Sequence, residues 1–133
     1  MKTTRAAVIG LAAAVAGGAA VFLVVVIGSL IGGIVEASIG SPVVSWEMAP
    51  FVVWFFATPG GVLVAVIGAL TGRWWSGLAI GLLIHGMGFG FLLLSNPSNP
   101  FAVTCWAFTV GTIAGGAAGA MGGAVRQLQS GNN

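Results

Sequence analysis

The chain has 133 residues, 58% hydrophobic and only 5% charged, with four basic and two acidic side chains. A soluble domain carries about a quarter of its residues as charges, so this composition cannot coat a water-facing surface and describes an integral membrane protein. Four scattered bases form no nucleic-acid patch, and the single cysteine, Cys105, excludes an internal disulfide and any multi-cysteine metal site.

After a polar start bearing Lys2 and Arg5, residues 6–35 carry no charge. A crossing helix needs about 20 residues, so the first span is expected to tilt or to overshoot the bilayer. A cleaved signal peptide is the competing reading, with Gly18-Ala19-Ala20 as a small-residue cleavage site. The apolar run continues through Ile27, however, past the length of a signal core. The first loop, Glu36 to Pro50, holds both acids, Glu36 and Glu47. Its Ser41-Pro42 pair suits a short helix start, and Trp46 suits a headgroup anchor.

The second span, about 51–70, is interrupted by Thr58-Pro59-Gly60-Gly61. Pro59 has no N–H for the Phe55 carbonyl, which predicts a helix kinked or broken near its middle. A tight turn with Arg73 leads to the third span, about 77–94. The polar turn Asn96-Pro97-Ser98-Asn99-Pro100 follows, then the fourth span, about 101–125, and a polar tail after Arg126. The expected fold is all-α: residues 1–133 form one integral membrane bundle of four transmembrane helices. With both termini in the cytoplasm, Lys2, Arg5, Arg73 and Arg126 lie inside and both glutamates outside, as the positive-inside rule asks. A bacterial-type plasma (inner) membrane is the default location, since no organelle signal is present.

Helices associate in lipid through close packing and a few polar contacts. In the fourth span Gly111, Gly115, Gly119 and Gly123 recur every four residues and share one helix face. This glycine-zipper row is a groove where another helix can approach backbone to backbone. Gly28 and Gly32 of the first span, and Gly77 and Gly81 of the third, offer similar tracks, and Gly116 and Gly122 put small residues on further sides of the fourth.

His85 is the one ionisable side chain well inside a span, roughly 12 Å of helical rise past Gly77 and so near the midplane. An intramembrane ionisable group is a functional candidate by default. The plainer reading is an imidazole hydrogen-bonded to a threonine or a freed carbonyl, fixing how the helices fit. That reading is favoured because proton relays use several such groups. If the second helix restarts at Thr58, the N–H groups of Gly60, Gly61 and Val62 become a half-helix anion site, a transporter device. The alternative is a proline kink whose neighbours satisfy the backbone. Thr58, Pro59, Gly60, Gly61, His85, Thr109 and Thr112 thus form a candidate midplane polar site. Trp74, Trp75 and Phe101 read as interface belts.

No metal cluster, cofactor motif or nucleophile with its base is present, so no enzyme, metal or cofactor is expected. Small multidrug transporters keep a carboxylate in their first helix, and this chain has none before Glu36. Gly115-Gly116-Ala117-Ala118-Gly119-Ala120 resembles a glycine pattern of fluoride channels, without their polar and phenylalanine motifs. The expectation is a small membrane protein that works by association, as an accessory or structural subunit. Its partners are the lipid bilayer and other membrane-protein subunits or copies of itself. The alternative is a homo-oligomeric channel or carrier for a small ion or solute, using the midplane site.

Overall fold

The computed structural model describes residues 2–43, 49–95, 98 and 100–131. It is all-α, with α1 over Lys2–Ile39, α2 over Ala49–Thr71, α3 over Trp74–Leu94 and α4 over Phe101–Gly131. Each is long and apolar enough to cross a membrane. The helices run past the expected spans, most of all α1, which carries Glu36 on its last turn, and α4, which continues through Arg126. Hydropathy marks where a chain leaves lipid; the backbone hydrogen bonds continue beyond that point until a stop signal.

Those stops are glycines at the ends of α1 and α2. Gly40 (φ 64°) donates its N–H to the Glu36 carbonyl at 3.0 Å, and Gly72 (φ 67°) donates to that of Gly68 at 3.2 Å. Both are left-handed caps that a residue with a Cβ adopts poorly. Beyond Gly40, Ser41, Pro42 and Val43 are not helical, so no short helix begins at Pro42. Trp46 and Glu47, Asn96, Pro97 and Asn99 of the second polar turn, and Asn132 and Asn133 of the tail lie outside the described residues.

Of the kink or break expected at Pro59, the break is absent. The α2 helix runs without interruption from Ala49 to Thr71 with Pro59 inside it. Thr58 does not cap a new helix; its hydroxyl donates back to the Trp54 carbonyl at 2.7 Å. Several other hydroxyls do the same, including Ser29 to Val25 and Thr109 to Cys105. In lipid such a bond satisfies a hydroxyl that has no water to turn to.

Neighbours along the chain pack antiparallel, and this makes α2 and α4 parallel. The two lie against each other through Gly61, Ala65 and Gly68 on one side and Ala118, Gly119 and Gly122 on the other. The α1 helix packs on one flank of this pair and α3 on the other, and α1 and α3 do not touch among the described residues. The plan is a rhombus with α2–α4 as its short diagonal. Its core is built of small side chains: the largest fully buried ones are Val21 and Val64.

Glycines set these approaches. A Cβ at Gly77 would collide with the Gly119 carbonyl, one at Gly81 with the Gly115 carbonyl, and one at Gly122 with the Ala65 carbonyl. These are backbone-to-backbone contacts, with no side chain that could swing aside. The aromatic exceptions are Phe89 and Trp106, and Trp106, 8% exposed, donates its indole N–H to the Gly28 carbonyl at 2.9 Å, tying α4 to α1.

Candidate functional site

His85 lies on the buried face of α3, which repeats every four residues through Gly77, Gly81, His85 and Phe89. It is 4% exposed and is the one buried polar or charged side chain among the described residues. Two glycines make its slot. A Cβ on Gly115 of α4 would strike the imidazole at Cγ and Nδ1, and a Cβ on Gly60 of α2 would sit 3.0 Å from Nε2. Phe89 stacks one turn on, with centroids 6.4 Å apart, and fills the space left by Gly111. Thus α2, α3 and α4 all contribute to the ring's position.

Nε2 of His85 lies 3.3 Å from the Ala57 carbonyl of α2. A carbonyl only accepts, so Nε2 carries the hydrogen. The acceptor is two residues beyond Phe55, whose carbonyl loses its helical donor to Pro59. Nδ1 is buried and has no hydrogen-bond partner, and the same holds for the hydroxyl of Thr112. Thr112 faces Gly86, the residue after His85, so the two atoms share the α3–α4 interface. Outside this interface, His85 lines an apolar cleft of about 220 Å³ between α2 and α3, together with Phe56, Gly60, Ile84 and Phe89.

The expected midplane residues separate into four places. Gly60, His85 and Thr112 come together at the α2–α3–α4 junction. Gly61 turns to α1, where a Cβ would meet Val21. Thr58 is bonded to its own helix and Pro59 is exposed. Thr109 is exposed and opens on a groove of about 540 Å³ between α1 and α4, lined also by Gly28, Gly32, Cys105 and Trp106. Because α2 is continuous, the N–H groups of Gly60, Gly61 and Val62 do not form a helix N-terminus. No group of three His, Cys, Asp or Glu side chains suited to a metal ion occurs among the described residues.

Residues that sequence spacing overlooked are Gly17, Gly68 and Trp106. Gly17 lies on Ala65, and Gly68 lies on the Gly119 carbonyl. The seven-residue step from Gly61 to Gly68 is the signal for the second, since seven residues are close to two helical turns. For Trp106 the signal is depth: it is a tryptophan more than one turn inside a span, away from the headgroup level where tryptophan usually sits.

The arrangement offers one imidazole acceptor and one hydroxyl near the middle of the bundle, walled by glycine backbone and aromatic rings. Among the described residues it does not bring a carboxylate to them: Glu36 lies at the far end of α1, where it accepts the Val43 N–H at 3.2 Å. No known protein family matches the chain, and neither curated proteins nor solved structures gave a match.

Proposed function

We propose that the protein is an accessory or structural subunit that acts by associating with other helices inside a membrane. The observation that supports this reading is the outer face of α1. It is the least enclosed of the four helices, and its 38 residues reach about 57 Å, against a hydrocarbon core about 30 Å thick. Val8, Leu11, Val15, Phe22 and Val26 are exposed on it at spacings of three, four and seven, a single apolar ridge. The glycines of α4 from Gly111 to Gly123 are occupied within the chain, so a partner helix would meet an outer apolar face such as that of α1.

We place both termini on the cytoplasmic side of a bacterial-type inner membrane. Arg5 donates to the Gln129 carbonyl at 3.3 Å, which brings the two ends of the chain together. Glu36 is at the opposite end of α1. The positive-inside rule then sets the direction.

Native mass spectrometry of the gently extracted protein tests the association. A fixed-ratio complex supports it, and single cysteines at Leu11 or Phe22 in a Cys105→Ser background should then cross-link to the partner. A bare monomer that does not cross-link overturns it. A second reading, a homo-oligomeric channel or carrier, is favoured by the two unpartnered polar atoms of His85 and Thr112.

A further inference from the structure

The end of the bundle where α1 begins and α4 finishes carries a positive charge that no described acid balances. Arg5 reaches the Gln129 carbonyl on α4. Arg126 is one turn back along α4, with its Cγ 3.7 Å from the position of a Cβ on Gly72. Arg73 follows Gly72, and its own carbonyl lies 2.5 Å from where a Cβ on Gly123 would stand. Three arginines therefore gather around the last turns of α4, and all three are exposed. The chain's acids are Glu36 and Glu47 alone, and Glu36 is a full bundle length away.

The helices do not supply the missing negative charge. At this end α1 and α3 begin while α2 and α4 finish, so their dipoles offset to first order and the arginines decide the sign. Trp74 and Trp75, 51% and 53% exposed, stand at the same level. The Arg73 guanidinium sits 5.9 Å over the Trp75 ring. Tryptophan settles at the headgroup layer, which fixes the depth at which the three guanidinium groups meet the membrane. Guanidinium presents a planar fork of donors that matches phosphate oxygens.

We infer that this end is a binding surface for anionic phospholipid, with Arg5, Arg73 and Arg126 engaging headgroup phosphates and Trp74 and Trp75 seated between the lipids. A zwitterionic lipid offers the same phosphate but cancels its charge with a neighbouring ammonium, so the preference is for net negative headgroups. Each basic residue near such a surface contributes about fivefold in affinity.

The test uses the full chain, delipidated in detergent and titrated with phosphatidylglycerol or phosphatidylcholine, with bound lipid counted by native mass spectrometry. The expected result is a preference for phosphatidylglycerol that falls about fivefold for each of Arg73→Gln and Arg126→Gln. It should survive Arg73→Lys and Glu36→Gln, and weaken in the unaltered protein when salt is raised from about 0.05 to 0.5 M. Equal binding of the two lipids overturns the inference, as does a preference insensitive to salt. Displacement by millimolar inorganic phosphate also overturns it, by assigning the arginines to a free anion.

Discussion

Gly81→Ala isolates the contact on which the α3–α4 interface depends. The new Cβ would collide with the Gly115 carbonyl oxygen, stand 2.7 Å from its carbonyl carbon and lie 3.0 Å from the Gly116 Cα. All three are backbone atoms, and carbon atoms rest about 3.5–4.0 Å apart, so the helices must separate locally by roughly 1 Å. Overpacking of this kind costs about 1–3 kcal/mol. Replacing a helical glycine by alanine returns at most about 1 kcal/mol of propensity. With the full propensity gain, the net expectation is a loss of about 0–2 kcal/mol, and about 1–3 kcal/mol relative to a glycine-to-alanine change without a clash. Gly88 on the same helix has nothing within 4 Å of its Cβ position, so Gly88→Ala keeps only the propensity gain and should be neutral or slightly stabilising. Reversible unfolding in mixed micelles, followed by far-UV circular dichroism, compares the two variants. If Gly81→Ala proves as stable as Gly88→Ala, glycine does not set the approach of α3 to α4 and the packing argument fails.

Trp106→Phe keeps an aromatic ring, though a smaller one, and removes the indole bond to Gly28. Intramembrane hydrogen bonds contribute about 0.6 kcal/mol on average and up to about 1.7, so a loss near 1 kcal/mol is expected in the same unfolding assay; an unchanged midpoint would show that the bond adds nothing. His85→Ala empties the slot between Gly60 and Gly115 and should cost about 2 kcal/mol or more through the lost bond and the space left behind. Under the association reading it leaves ion and solute flux in liposomes unchanged. A change in flux or in its pH dependence, with the oligomer intact, would transfer the assignment to a channel or carrier.

Both the number of helices and their approximate extents are legible in the composition alone. With six charged side chains in 133 residues, the charges can only mark places where the chain leaves lipid, and the uncharged polar turn Asn96-Pro97-Ser98-Asn99-Pro100 divides the long run from 74 to 125 into the third and fourth spans. The four-residue glycine row of α4 is legible for a related reason: helical periodicity turns that spacing into one face whatever lies opposite. What lies opposite is not encoded in any local run. That Gly119 meets Gly77 while Gly122 meets Ala65 follows from α4 sitting on the short diagonal of the rhombus, against three helices at once.

Pro59 shows the limit most directly. A local rule reads a missing N–H followed by two glycines as a kink or a break, and α2 passes through it unbroken. The tertiary structure divides the two glycines between neighbours, Gly60 against His85 of α3 and Gly61 against Val21 of α1, so their lack of side chains serves helix contact. For the same reason the proposed midplane layer separated. Thr58, Thr109 and Thr112 stand at similar depth by helical rise, which the sequence determines, but the direction each faces depends on how its helix is rotated in the bundle. Only the packing decided that His85 and Thr112 share an interface, while Thr109 looks out on the far side of α4.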